Sequence, residues 1–133
     1  MKNTSFSLTQ SLSINYLAEC LSKIFSIELS AIDIWKNEGL IQESANAKLS
    51  VMYSEYKIGL PMKIDIFFAE GYSSSIQTVD FFKRLSTCLY IDVFFLEQDN
   101  WGILYRENGE FTKVACNIKI INNEETLSII IPR

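Results

Sequence analysis

Apolar residues recur at helical spacing in two stretches of the chain. Ile14, Leu17, Leu21, Ile24 and Phe25 fall on one face, with Ala18 and Glu28 at its borders. Ser11 or Ser13 stands where a helix start favours a capping hydroxyl. This places an amphipathic helix at about residues 13–26. A second stripe, Phe81, Phe82, Leu85, Cys88 and Leu89, is opposed by Gln77, Asp80, Lys83, Arg84 and Thr87, which predicts a helix at about 75–89.

Elsewhere the period falls to two. Leu49, Val51 and Tyr53 alternate with Ser50, Met52 and Ser54, and Gly59-Leu60-Pro61 ends that strand, which extends to Lys57. Further strands are expected at Met62–Ala69, Ile91–Leu96, Trp101–Arg106, Phe111–Ile121 and Thr126–Ile131. Asn108-Gly109 occupies a position where a tight hairpin turn needs positive φ, and Asn122-Asn123-Glu124-Glu125 forms another turn. Ile27 to Trp35 supports two readings. It alternates like a short strand, yet Ser30-Ala31-Ile32-Asp33 is a capping-box pattern with Gly39 as a stop. Asn37 to Asn46 reads as a polar connection with room for local helix. No linker or low-complexity run divides the chain. The expected architecture is one α+β domain over residues 1–133, with a mixed, mostly antiparallel sheet, two helices and a βαβ unit at 62–96.

One phrase occurs twice: Ile64-Asp65-Ile66-Phe67-Phe68-Ala69-Glu70 and Ile91-Asp92-Val93-Phe94-Phe95-Leu96-Glu97. A helix separates the copies, so the unit reads strand–helix–strand with parallel strands and a right-handed crossover. Ile64, Ile66 and Phe68 would carry the helix, while Asp65 and Phe67 point away, as do Asp92 and Phe94 in the second copy. Neighbouring in-register strands would hold the two aspartates roughly 5 Å apart, close enough for acid–base or metal chemistry. The chain contains no histidine, which removes the usual general base and any Ser-His or Cys-His nucleophile. Solvated strand aspartates are the simpler expectation.

A formal charge of −4 argues against a nucleic-acid footprint, and no Lys/Arg-rich run offers itself to anionic lipid. Cys20, Cys88 and Cys116 are far apart and lack zinc spacing, so they read as reduced, buried thiols. Met1 to Ser7 lacks the apolar region of a signal peptide, and no stretch approaches membrane-spanning length. The expectation is a cytoplasmic protein without cofactor, structural metal or catalytic residues.

Following chain direction, Glu70 and Glu97 end the two parallel strands at one end of the sheet. The reversal at Gln98-Asp99-Asn100 shares that end, and the later return places Glu124 and Glu125 there too. The segments around them contain no Lys or Arg, and Tyr72 and Trp101 are interleaved. Glu70, Glu97, Asp99, Glu124 and Glu125 with these two aromatics would form a negative rim suited to a basic protein partner. Two other arrangements are open. Glu55-Tyr56-Lys57 with Asp33 and Glu19 resembles the acidic-plus-lysine set of restriction-endonuclease-like nucleases, in which carboxylates hold a divalent metal. Alternatively, the Asp65/Phe67/Asp92/Phe94 face could join copies of the chain or receive the partner. The glycines form no phosphate loop, and the carboxylates do not follow calcium-loop spacing.

The acidic build, the Asp65 and Asp92 strand phrases around an amphipathic helix, and the closing Trp101-Gly102-Ile103-Leu104-Tyr105 hairpin with Asn108-Gly109-Glu110-Phe111 resemble small bacterial immunity proteins. Such proteins guard a cell against its own polymorphic or contact-delivered toxins. The resemblance covers about Pro61 to the C-terminus and transfers no individual contact residue. It implies stoichiometric binding, as a monomer or weak homodimer, to a basic toxin domain, often a nuclease. No nucleic acid or membrane would be bound by the inhibitor itself.

Overall fold

The computed structural model describes residues 1–37 and 46–130. Along them run β1 (Thr4–Leu8), α1 (Ile14–Phe25), a 3-10 turn at Leu29–Ala31, β2 (Ile32–Lys36), β3 (Leu49–Glu55), β4 (Met62–Phe68), α2 (Thr78–Leu89), β5 (Val93–Gln98), β6 (Trp101–Tyr105), β7 (Phe111–Ile121) and β8 (Glu124–Ile130). Eight strands share one sheet in the order β2-β3-β4-β1-β5-β6-β7-β8. β2 and β3 are parallel, and every other adjacent pair is antiparallel. The fold is α+β, as the alternation of periods implied.

Both helices cover one face. Leu17 and Leu21 of α1 and Phe81, Phe82 and Leu85 of α2 meet Phe6, Leu8, Val51, Ile64, Ile66 and Val93 of the sheet in one buried cluster. Phe82 stands edge-on to Phe6 at 5.5 Å and to Phe81 at 5.1 Å, and it stacks on Tyr105. Ser13 occupies the N-cap of α1 without a side-chain cap bond; its carbonyl instead accepts from the Tyr16 and Leu17 amides. The two helices touch directly, with the Tyr16 hydroxyl donating to the Cys88 carbonyl.

Three expectations need correction. The strand–helix–strand unit has its two strands running the same way, but they are not neighbours: β1 lies between them, antiparallel to both. β1 itself is legible as Phe6 and Leu8 alternating with Ser5 and Ser7, a pattern hidden by its brevity. Ile27 to Trp35 resolves into the 3-10 turn and β2, so the capping-box reading fails; the Gly39 stop and the connection at 38–45 lie outside the described residues. The three thiols are not all reduced. Packing of α1 on α2 brings the Cys20 and Cys88 Cα atoms to 6.0 Å, and the two are disulfide-bonded, leaving Cys116 free and buried. An odd count conceals one pair, and a separation of 68 residues conceals the helix contact that forms it.

The other sheet face has its own, smaller core. β7 continues past its pairing with β6, and the β7–β8 hairpin folds back as an arm across that face. Phe94, Leu104 and Cys116 are buried beneath it, with Leu60, Val114, Leu127 and Ile129 packed around them. Two glycines permit the curl. A Cβ on Gly102 would overlap the Phe94 ring and the Phe95 carbonyl. Gly59 has φ +78°, and a Cβ there would overlap the Leu127 carbonyl, to which the neighbouring Leu60 amide donates at 2.7 Å. The arm tip is a two-residue turn with Asn122 and Asn123 at φ 53° and 65°, the twist that matches a hairpin. At the β6–β7 turn only the glycine of Asn108-Gly109 adopts positive φ, and the Asn108 side chain accepts from the Glu110 amide.

Gly102→Ala should therefore cost about 1–3 kcal/mol through overpacking, measured by urea unfolding. Under denaturing, non-reducing conditions an alkylating reagent should label one cysteine, Cys116, and after reduction all three.

Candidate functional site

The repeated aspartates sit far apart. Asp65 is mid-strand opposite Ser5, whereas Asp92 precedes β5, where Leu8 pairs with Val93. Strand spacings put the two carboxylates roughly 16 Å from one another. Asp92 is held at its own end of the sheet by the Arg106 guanidinium at 3.1 Å and by the Glu107 amide. Asp65 accepts from the Ser5 hydroxyl. No acid–base dyad is formed. The proposed Asp65/Phe67/Asp92/Phe94 face is also divided, because Phe94 is fully buried under the arm.

The nuclease-like set is likewise dispersed. β3 ends at Glu55, so Lys57 lies outside the strand, while Asp33 on β2 pairs with Ser50, roughly 17 Å along β3 from Glu55. Among the described residues no group of three or more His, Cys, Asp or Glu is arranged to hold a metal ion.

The negative rim is partly assembled. Glu70 follows the end of β4, and Glu97 and Asp99 flank the β5–β6 reversal at the same end of the sheet. All three side chains are exposed. Trp101 begins β6 there, half-buried. Glu124 and Glu125 are elsewhere. From Ala115, opposite Trp101, to Ile121, opposite Glu124, β7 runs a further ~20 Å, and the arm carries both residues back over the second face. Glu125 lines a cleft with Tyr56 and Leu60 of the β3–β4 connection and Lys63 of β4. Chain direction placed these residues correctly at the end of β7 but did not reveal how far that strand outruns β6.

The sheet also brings cations that local sequence lacks. Lys113 of β7 places its ammonium 4.2 Å from the Trp101 ring centre, and Lys48 lies 6.0 Å from that of Tyr72. Tyr72 packs against Phe68, and burial pushes its hydroxyl pKa upward. Among the described residues, however, none of the five rim carboxylates has a cation within 4.0 Å. The rim's charge therefore acts at a distance. Burial raises the Tyr105 hydroxyl, and Glu97 raises it further; burial raises the Cys116 thiol, and Asp99 adds to it. The Asp99 carbonyl and the Asn100 carbonyl receive the Cys116 thiol and amide, which ties the reversal to β7.

All three raised groups, Tyr72, Tyr105 and Cys116, are neutral in the folded state over a wider range than in the unfolded chain. Their contribution to stability is complete below the unfolded values, about 8.5 for a thiol and about 10 for a phenol, and is lost as pH rises through the higher folded values. Stability should thus hold steady from neutrality to about pH 8 and decline in alkali. In Asp99→Asn the Cys116 part of that decline should shrink, as read by chemical unfolding at a series of pH values.

No helix among the described residues is long and apolar enough to cross a membrane. Comparisons with protein-family models, with curated proteins and with solved structures give no match for this chain.

Proposed function

We propose that the protein is an immunity-type inhibitor that binds and neutralises a basic toxin domain, a nuclease being the expected kind, by stoichiometric association rather than by catalysis. The observation that carries this reading is the group Glu70, Glu97 and Asp99, exposed at one end of the sheet and unneutralised by any adjacent cation among the described residues. Such a group steers a positively charged partner and raises its encounter rate. Trp101, half-buried beside it, supplies apolar area for the docked state. Lys113 and Lys48 soften the field near Trp101 and Tyr72, so the carboxylates of the β5–β6 reversal carry more of the steering than the aromatics do.

At the arm tip Glu124 and Glu125 form a second negative patch, of which Glu125 lines the cleft. A partner that reaches both patches would wrap around the end of the sheet. The site of action in this reading is the cytoplasm, where the Cys20–Cys88 bond would face reducing conditions that normally keep such pairs open. Metal-dependent nuclease activity of the chain itself, the other reading of the sequence, gains no support from the dispersed Asp33, Glu55 and Lys57.

The test is association with the product of the adjacent reading frame, followed by stopped flow. Glu97→Lys combined with Asp99→Lys should slow association at least tenfold at low salt and flatten its salt dependence, with the circular dichroism spectrum unchanged. Association as fast as that of the unaltered protein would remove the reading.

A further inference from the structure

The arm and the sheet face beneath it enclose a cleft of about 590 Å3. That lies within the span of small-molecule sites, roughly 300–1,000 Å3. Phe67 and Leu96 contribute apolar walls from the sheet, and Ile118 and Leu127 contribute them from the arm. Two carboxylates join these walls, Asp65 from β4 and Glu125 from β8.

Asp65 is half-buried, and the Ser5 hydroxyl donates to its Oδ1. Its Oδ2 receives no hydrogen bond from the described residues, and no described cation lies within 4.0 Å. Lys63 also borders the cleft, but it is exposed and does not pair with Asp65. The Asp65 Oδ2 is not sealed from solvent, and a charged donor reaching it from within the cleft makes a shorter, stronger hydrogen bond than a neutral donor does. Ser5 fixes the carboxylate while leaving one oxygen open. Glu125 adds a second negative charge from the opposite wall. An anion would meet both charges with one exposed lysine to offset them, and a purely apolar guest would draw nothing from either carboxylate.

We propose that this cleft binds a small amphipathic cation, a primary ammonium on an aromatic or branched apolar body, with the ammonium on Asp65 and the body between Phe67 and Ile118. The site belongs to the isolated chain and does not depend on the toxin-binding reading.

Three probes of one shape separate the contributions: phenethylammonium, the neutral phenethyl alcohol and the anionic 3-phenylpropionate, titrated by calorimetry into the full chain. The ammonium should bind at least tenfold more tightly than the alcohol, and the carboxylate should not bind. Asp65→Asn, which keeps an acceptor for Ser5, should bring the ammonium down to the affinity of the alcohol and leave the alcohol unchanged. Ile118→Trp, which fills the cleft, should abolish both. Equal affinities for ammonium and alcohol, retention of ammonium affinity in Asp65→Asn, or no saturable binding of any probe at millimolar concentration would overturn the proposal. Should Asp65→Asn fail to fold, the ranking of the three probes on the unaltered protein, with Ile118→Trp as control, decides it alone.

Discussion

The close approach of β6 to Phe94 at Gly102 governs the second half of the molecule. With hydrogen in place of a side chain, the β6 backbone can lie against an aromatic ring that would otherwise hold it away. The sheet then curls toward the face without helices, and β7 is long enough to continue that curl into an arm. The arm covers Phe94, Leu104 and Cys116, which would otherwise be an exposed apolar patch of the kind soluble proteins avoid. Gly59 and the Leu60 amide complete the arrangement from the far side by meeting the Leu127 carbonyl. Curling thus answers two needs at once. It buries the second face of the sheet, and it satisfies a backbone carbonyl of β8 that an outermost strand would leave to solvent.

The same curl decides where the charges go. Glu97 and Asp99 stay at the reversal, tied to β7 through Cys116, while Glu124 and Glu125 travel with the arm. What began as one rim becomes two patches joined by a cleft. β1 makes a comparable contribution by inserting between β4 and β5, which pulls Asp65 and Asp92 apart and turns a suspected catalytic pair into two residues with different jobs. Asp92 fastens Arg106 and the Glu107 amide at the surface. Asp65, with one oxygen free, is left facing the cleft.

Much of this was legible in the sequence because it rests on local periodicity. The apolar stripes of α1 and α2 and the alternation in β4 reflect burial on one face, and burial is written into neighbouring residues. Thr4–Leu8 was harder to read, since five residues with two apolar positions carry little periodic signal. The Cys20–Cys88 bond, Lys113 over Trp101 and the displacement of Glu124 and Glu125 all depend on residues distant in the chain meeting, the cysteines through helix packing and the others through strand order. A single sequence does not encode strand order locally. Asn122-Asn123 shows the reverse case, in which the residues themselves announce the turn: asparagine tolerates the left-handed conformation that both positions adopt.

Whether the arm is docked on the sheet underlies the division of the carboxylates and the existence of the cleft. Amide hydrogen exchange of Leu60 reads this directly, because its donor to Leu127 lies in a loop and has protection only when the arm is in place. A docked arm gives slow exchange at Leu60, lost together with the amides that pair β7 to β8. Exchange at the rate of a free loop amide, with the β7–β8 amides still protected, would show an arm swung away from the sheet and would contradict that docking.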